Sequence, residues 1–107
     1  MLPLSVAIIT KDEADNLPRL LESLKPLNPA EIVVVDSGST DNTVQIAKAY
    51  GARIVETDWP GHVAQKNRAL ELCRQPWILS LDADEPISEA LANNLCDLFE
   101  DTGPNKD

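Results

Sequence analysis

The fold is decided by the apolar run Ile32-Val33-Val34-Val35, which is followed at once by the polar residues Asp36-Ser37-Gly38-Ser39. The four apolar residues do not alternate with polar ones. Such continuous runs are typical of strands in parallel sheets, which are covered on both faces. Three other short apolar runs occupy residues 4–9, 52–55 and 77–81. The sequence therefore predicts four buried strands, the second of them at residues 31–35.

The segments between these runs have the apolar spacing of helices. The first is a stripe made of Leu17, Leu20, Leu21, Leu24 and Leu27. The second spans residues 41–50 and ends before Gly51, the third spans residues 62–74 and ends before Pro76, and a fourth follows Ser88. We expect the third helix to bury a face made of Val63, Asn67, Leu70 and Cys73. We expect the fourth helix to bury Leu91, Leu95, Leu98 and Phe99.

Strands and helices alternate strictly along the chain, and this order predicts an α/β fold. We expect an open, Rossmann-like sheet of parallel strands with right-handed crossovers, in a three-layer α/β/α arrangement. A length of 107 residues fits one domain, which we expect to span residues 1–100. Residues 101–107 are Gly, Pro, Asn, Thr and charged residues with little to bury, and we expect them to fray.

The chain is acidic, with a formal net charge of −9. Residues 82–107 hold eight of the 18 acidic residues and one of the nine basic ones, so most of the excess charge lies there. This balance argues against nucleic acid or an anionic membrane surface as a partner. The two cysteines lack metal-ligand spacing, and no segment resembles a signal peptide or a membrane span. We expect a cytoplasmic protein, free or at the inner face of the membrane.

Polar clusters follow three of the four predicted strands. They occupy residues 10–13, 36–43 and 82–85. In open α/β sheets, ligands bind beyond the carboxyl ends of the strands, where loops lead into helices. The three clusters are therefore predicted to meet at one edge of the sheet and to form one site.

Asp82 and Asp84 are the most informative pair in these clusters. Alternate residues of an extended chain point to opposite sides, so the two carboxylates converge only if the chain turns directly after the strand. In that case they offer hard oxygen ligands to a divalent cation, which would keep waters and bind the phosphates of a ligand. The alternative is that Asp82 ends a strand and that Asp84 or Glu85 helps to start the next helix.

The cluster after the second strand also has two interpretations. Ser39, Thr40 or Asp41 would cap the following helix, and Gly38 would supply the turn. Capping does not explain Asp36, whose carboxylate could accept a hydrogen bond from a ribose hydroxyl or a base N–H. The sequence contains no glycine-rich dinucleotide fingerprint and no P-loop, which disfavours a Rossmann dehydrogenase and a P-loop NTPase.

The third predicted helix carries Lys66 and Arg68. Both can be interpreted as solvated charges on the helix surface. For Lys66 the alternative is a cation that contacts a diphosphate. His62 has no obvious carboxylate or serine partner, and we interpret it as a loop or helix-start residue rather than a catalytic base. Ser37 and Ser39 lack the G-x-S-x-G elbow, which disfavours a serine hydrolase.

Together these residues resemble the family 2 glycosyltransferases of the GT-A fold. The resemblance covers residues 3–90 and rests on four segments in the family's order. These are residues 10–17, 32–43, 66–70 and 79–85. Within the family, the chain is most similar to bacterial lipopolysaccharide-core glycosyltransferases of the β-1,4-glucosyltransferase type.

The resemblance implies a nucleotide-diphospho-sugar donor, with a UDP-sugar favoured, and Mg²⁺ or Mn²⁺ as cofactor. It also implies an inverting transfer to a hydroxyl of a glycan or glycolipid acceptor. The metal would neutralise the charge that develops on the leaving nucleoside diphosphate. Without a cation, the carboxylates of the site would repel the donor's phosphates.

The donor-binding residues that the resemblance implies are Thr10, Glu13, Asp36, Lys66, Asp82, Ala83 and Asp84. The first two would line the nucleoside pocket, and Asp36 would hold the base or the ribose. Lys66 would lie near the donor. Residues 82–84 match the D-x-D motif, and the metal ligands would be Asp82 and Asp84.

The chain departs from the family in length, because members usually have more than twice as many residues. No carboxylate after Glu85 matches the base that deprotonates the acceptor. We therefore expect a donor-binding half with no catalytic residue of its own. It would be a fragment of a larger enzyme, a truncated gene product or a domain that needs a partner. An incomplete sheet would expose an edge, so we also expect a homo-oligomer formed through that edge.

Three other functions stay open at this point. A nucleotidyltransferase shares the fold and the metal, but it usually has a glycine-rich basic loop where this chain has residues 10–13. A response-regulator-like domain needs a lysine at a later strand end, and none follows Lys66 before Lys106. A non-catalytic module that binds a nucleotide sugar is the main alternative to a glycosyltransferase.

Overall fold

A computed structural model of the chain describes residues 2–101 and shows a four-stranded parallel sheet. The strands are β1 (Leu2–Thr10), β2 (Pro29–Asp36), β3 (Arg53–Glu56) and β4 (Trp77–Asp82). They lie in the order β3-β2-β1-β4. Thr10 is level with Asp36, and Ile9 is level with Asp82. The predicted open parallel sheet is confirmed, and its carboxyl ends meet at one edge.

The four helices are α1 (Leu17–Ser23), α2 (Thr43–Ala49), α3 (His62–Leu72) and α4 (Glu89–Asp101). Helix α1 is shorter than its leucine stripe predicts, although all five leucines are buried. Pro26 lacks the amide hydrogen that a continuing helix would use. The N–H groups of Leu24 and Leu27 instead bond to carbonyls three residues back, which forms a tight turn. The tail predicted to fray lies, beyond Asp101, outside the described residues.

The sheet is covered on both faces, by two separate apolar clusters. Because side chains alternate along β1, Leu4, Val6 and Ile8 face one side and pack with α1, α2 and α4. Ala7 faces the other side and packs, with Val33 of β2, against α3. The predicted three-layer α/β/α arrangement is confirmed. The ends of β1 and β2 at the polar edge are therefore backed by packed apolar residues on both faces of the sheet.

The prediction of which residues α3 buries is largely wrong. Val63 is 72% exposed and Leu70 is 36% exposed, and Asn67 is exposed as well. The helix instead buries Gln65 and Ala69. The side-chain amide of Gln65 donates a 2.8 Å hydrogen bond to Thr57 Oγ1, a contact that apolar spacing cannot reveal. The helix is therefore rotated so that a polar residue faces the sheet.

The predicted face of α4 is partly wrong for a different reason. Leu91 and Leu98 are exposed, whereas Ala92 is buried and Leu95 and Phe99 pack against the core. Two overlapping apolar stripes run along this helix, and spacing alone does not choose between them. Within residues 2–101, no helix has the length and apolar character needed to cross a membrane.

Strand β4 forms one edge of the sheet, and within the described residues it pairs with β1 alone. Its first two residues, Trp77 and Ile78, are 55% and 41% exposed. The homo-oligomer expected through this edge stays a prediction.

The rotated face of α3 can be tested with matched substitutions. Ala69→Leu adds bulk between α3 and the sheet and should lower the free energy of unfolding by about 1–3 kcal/mol, as overpacking does. Val63→Leu adds bulk to an exposed position and should change it by less than about 0.5 kcal/mol. Urea unfolding measures both. Equal effects at the two positions would show that α3 does not bury the Ala69 face.

Candidate functional site

The carboxylate of Asp36, at the end of β2, is completely buried and organises its surroundings. Its Oδ1 accepts hydrogen bonds from Thr10 Oγ1 (2.7 Å) and Ser39 Oγ (2.5 Å). Its Oδ2 accepts from the backbone N–H groups of Gly38 (3.1 Å) and Ser39 (2.8 Å). Burial by itself raises the pKa of Asp36, but these hydrogen bonds outweigh it and the pKa is lowered. Asp36 is therefore a charged group that shapes the loop after β2.

Further hydrogen bonds join the loop after β2 to the loop after β1. The backbone N–H of Asp12 donates to Ser39 Oγ at 2.7 Å, and the Asp12 carboxylate accepts from the N–H of Thr40 at 2.7 Å. Asp12 adopts a φ of 52°, in the left-handed region that residues with short polar side chains tolerate. The N–H of Ala14 donates to the Asp41 carboxylate at 3.1 Å. The two loops therefore form one connected rim.

Of the three residues predicted to cap α2, Asp41 serves the helix start. Its Oδ1 accepts from the N–H of Thr43, the first helical residue, at 3.0 Å, and also from the Thr43 hydroxyl. Ser39 bonds to Asp36, and Thr40 bonds to Asp12. The three polar residues therefore have separate structural tasks.

The chain turns directly after β4, as convergence of Asp82 and Asp84 requires. The N–H of Glu85 donates to the carbonyl of Asp82 at 3.0 Å, which closes the turn. Ala83 is buried, whereas Asp84 is exposed. The buried side chain of Ala83 thus anchors the turn, and the carboxylates of Asp82 and Asp84 flank it along the chain.

Lys66 of α3 reaches the acidic turn. Its ammonium lies 3.2 Å from Asp82 Oδ1, and both side chains are partly exposed. This hydrogen-bonded ion pair lowers the pKa of Asp82. The pKa of Glu85 is raised, first by its hydrogen bond to Asp82 and then by the negative charge of Asp82, with smaller contributions from desolvation and from the charge of Asp84. One lysine therefore partly balances a group of three carboxylates.

A pocket of about 260 Å³ opens at the carboxyl ends of β1 and β4, and we call it the acidic pocket. It is lined by Ile9, Thr10, Lys11, Glu13, Trp59, His62, Asp82, Ala83 and Asp84. Five of the seven predicted site residues thus line one pocket. Lys66 contacts this group through its ion pair with Asp82. Asp36 does not line the pocket but accepts a hydrogen bond from Thr10, which does.

A second pocket, of about 270 Å³, shares two of these residues, and we call it the Trp59 pocket. Lys11, Ser37 and Trp59 line it. The sequence prediction missed Trp59 and left His62 without a function. The signal was available, because the loop after β3 leads to the same sheet edge as the other three.

The acidic turn offers carboxylates, the kind of ligand that a hard divalent cation takes. Within residues 2–101, no group of three or more His, Cys, Asp or Glu side chains is arranged to hold a metal ion. Asp82 and Asp84 supply two carboxylates to the lining of one pocket. Mg²⁺ is commonly bound in this way, by one or two carboxylates together with phosphates and water.

Comparison with known proteins shows the family to which the chain belongs. The profile of glycosyl transferase family 2 matches residues 5–105. The chain belongs to the family 2 glycosyltransferases. An uncharacterized glycosyltransferase of Rickettsia prowazekii is 40% identical over 107 residues, which are all of this chain and 36% of the relative. The lipopolysaccharide core biosynthesis glycosyltransferase LpsC of Rhizobium meliloti is 43% identical over 103 residues, which cover 92% of this chain and 37% of LpsC.

Solved glycosyltransferase structures share the fold. Glucosyl-3-phosphoglycerate synthase of Mycobacterium tuberculosis, in complex with UDP, matches with a TM-score of 0.69 and 28% identity. The match covers 78% of this chain and 34% of the synthase. A further structure of that synthase contains Mn²⁺, UDP and glucosyl-3-phosphoglycerate, and its 24% identity at a TM-score of 0.71 shows the common fold. This glycosyltransferase chain spans about a third of the length of these relatives.

The structural role of Asp36 can be tested by Asp36→Asn. An amide places an N–H₂ group against donors that now meet an oxygen, so we expect a loss of about 2–3 kcal/mol in the free energy of unfolding at pH 7. Asp36 has a folded-state pKa below its unfolded value, so its stabilisation is complete above about pH 4 and is lost as the pH falls through the folded pKa. The difference in the free energy of unfolding between the wild type and Asp36→Asn should therefore become smaller at acidic pH.

Chemical unfolding from pH 7 to pH 3 measures this gap. Asp97→Asn, an exposed change on α4, is the control and should follow the wild type at every pH. A gap that stays constant or widens in acid would contradict the assigned role of Asp36.

Proposed function

We propose that this chain binds the nucleotide-diphospho-sugar donor of an inverting, metal-dependent glycosyltransferase. The observation that carries the proposal is the acidic pocket. It joins Thr10 and Glu13, at and after the end of β1, to Asp82 and Asp84, at and after the end of β4. A donor of this kind has a nucleoside at one end and a diphosphate next to the sugar. The pocket offers hydrogen-bonding groups on one side and metal-binding carboxylates on the other.

Asp82 and Asp84 are the proposed ligands of Mg²⁺ or Mn²⁺. Two carboxylates leave coordination positions for the oxygens of the diphosphate and for water. When bound, the metal supplies positive charge that stabilises the leaving nucleoside diphosphate. The Mn²⁺ and UDP in the mycobacterial synthase support a divalent metal at a nucleotide of this class.

Lys66 is the proposed second source of positive charge for the diphosphate. Its ammonium lies 3.2 Å from Asp82 Oδ1, and about a third of its side chain is exposed. A metal ion at Asp82 would take over the compensation of this carboxylate. The lysine would then be free to contact phosphate oxygens as a point charge. Lys66 thus keeps the carboxylate compensated before the donor and metal arrive.

Thr10, Glu13 and Asp36 are proposed to serve the nucleoside end of the donor. Thr10 lines the pocket, but only 4% of it is exposed and its hydroxyl donates to Asp36. Asp36 accepts four hydrogen bonds from within the chain. Contact of Asp36 with the base or ribose therefore requires the hydroxyl of Thr10 or Ser39 to exchange partners. Glu13 lines the pocket directly and accepts from Asn16 at 3.2 Å.

The acceptor is proposed to be a hydroxyl of a glycan or glycolipid, in the synthesis of lipopolysaccharide or another cell-surface glycan. The likeness to LpsC supports this class of acceptor. We assign no catalytic base to this chain and propose that turnover needs residues outside the donor site. Binding of the donor without transfer by the 107-residue chain agrees with this proposal and with a non-catalytic nucleotide-sugar module.

Calorimetric titration with UDP, with and without Mn²⁺, tests the donor site. We expect binding that depends on Mn²⁺, and we expect Asp84→Asn to weaken it by about ten-fold or more because a metal ligand is lost. Asp97→Asn removes the same charge outside the pocket and should leave the affinity unchanged. UDP that binds equally well without Mn²⁺, or equally well to Asp84→Asn, would contradict the proposed site. GDP and dTDP, titrated in parallel, report the preferred base.

A further inference from the structure

Gln65 lies on the face of α3 that meets the sheet, and it is completely buried. Both ends of its side-chain amide are hydrogen-bonded. Its Nε2 donates to Thr57 Oγ1 at 2.8 Å, and its Oε1 accepts from the Arg68 guanidinium at 3.2 Å. A buried amide is stable only when its polar atoms have such partners. The two bonds therefore hold Gln65 between α3 and the loop that follows β3.

Apolar packing alone does not account for the orientation of α3 about its own axis. The other buried residue of this helix is Ala69, whose small side chain makes few contacts that a rotation would break. The hydrophobic effect has no preferred direction, and the larger apolar residues Val63 and Leu70 are left exposed. A hydrogen bond, in contrast, requires a specific angle at its donor. The hydrogen bonds of Gln65 therefore set the orientation of the helix.

Thr57, the partner of Gln65, is itself fixed in place. Its backbone N–H donates to the carbonyl of Asp36 at 2.7 Å, and its hydroxyl donates to the carbonyl of Asp58 at 2.8 Å. Asp36 is the buried last residue of β2, which lies inside the sheet between β3 and β1. The orientation of α3 is thus referred, through Thr57, to the end of an inner strand.

The orientation of α3 decides where Lys66 lies. Successive residues of a helix are about 100° apart around its axis, so Lys66 projects from the flank of a helix whose Gln65 faces the sheet. On that flank its ammonium lies 3.2 Å from Asp82 Oδ1. His62, one turn earlier, shares the flank and lines the acidic pocket. Arg68 projects from the other flank, toward the loop after β3. A helix turned differently would carry Lys66 and His62 away from the pocket together.

We propose that Gln65 is a positioning residue for the diphosphate end of the donor site. By fixing the rotation of α3 against Thr57, it holds Lys66 where the ammonium reaches Asp82 first and the phosphate oxygens afterwards. Gln65 is buried and does not line the acidic pocket, so it acts through Lys66 and not by contact with the donor. This inference rests on the proposed function, which gives Lys66 the task of compensating the diphosphate.

A thermodynamic cycle separates this role from general structural support. In the presence of Mn²⁺, we expect Lys66→Met to weaken UDP binding by about ten-fold, the scale of one hydrogen bond to a charged group. Gln65→Met keeps the length of the side chain but forms neither hydrogen bond. It should weaken UDP binding by about five-fold, because Lys66 is then less well placed. The double variant should bind UDP about ten-fold and not about fifty-fold more weakly than the wild type, because both changes remove the same contact.

Matched variants of Thr57 test the route from Gln65 to the sheet. Thr57→Val removes the hydroxyl with little change of shape and should weaken UDP binding as Gln65→Met does. Thr57→Ser keeps a hydroxyl and should keep the UDP affinity of the wild type. Asn67→Ala changes an exposed residue of the same helix and should also bind UDP as the wild type does. The cycle with Lys66→Met is run with Thr57→Val if Gln65→Met does not fold.

The affinity for Mn²⁺ alone gives a readout that a disrupted site would move in the opposite direction. It is measured without UDP, by electron paramagnetic resonance of the free ion. Displacement of Lys66 leaves the carboxylate of Asp82 uncompensated, so Gln65→Met should bind Mn²⁺ at least as tightly as the wild type.

Three results would overturn the positioning role. They are unchanged UDP affinity in Gln65→Met, weaker Mn²⁺ binding in that variant, and effects of Gln65→Met and Lys66→Met that multiply in the double variant. Two other results would overturn the proposed function, and the inference with it. They are a wild-type chain that binds no UDP in the presence of Mn²⁺, and a Lys66→Met variant that binds UDP as tightly as the wild type.

Discussion

The buried carboxylate of Asp36 is the interaction on which the polar edge of the sheet depends. An ionised group with no exposed surface is stable only if donors surround it, and four hydrogen bonds from Thr10, Gly38 and Ser39 do so. These bonds hold the end of β1 and the turn after β2 in fixed positions. The carbonyl of the same residue receives the N–H of Thr57, so the loop after β3 is fixed to it as well.

The acidic turn after β4 completes the edge and gives it its chemistry. Lys66 compensates Asp82 and leaves Asp84 exposed, so the site keeps an excess of negative charge that suits a divalent cation. That excess would repel a diphosphate if the cation were absent. The excess negative charge of the last quarter of the chain thus includes the proposed metal site, where we expect the cation and the phosphates of the proposed donor to bind together.

Much of the fold could be predicted from the sequence, because continuous apolar strands and helical leucine stripes are consequences of burial. The meeting of residues 10–13, 36–43 and 82–85 at one edge followed from the parallel order of the strands. Two features could not be predicted in this way. The buried face of α3 is set by the hydrogen bond from Gln65 to Thr57, which apolar spacing does not record. The parallel order of the strands brings the loop after β3 to the same edge, but the position of Trp59 within the site depends on the geometry of that loop, which polar clusters do not indicate.

The central claim is that Asp82 and Asp84 hold a divalent metal against the diphosphate of a nucleotide. The most direct measurement is a crystal structure of the chain with Mn²⁺ and UDP, with an anomalous difference map recorded at the manganese edge. The account predicts one strong peak between the two carboxylates and in contact with the diphosphate. A map with no peak there, or UDP bound with its phosphates away from the acidic turn, would contradict it.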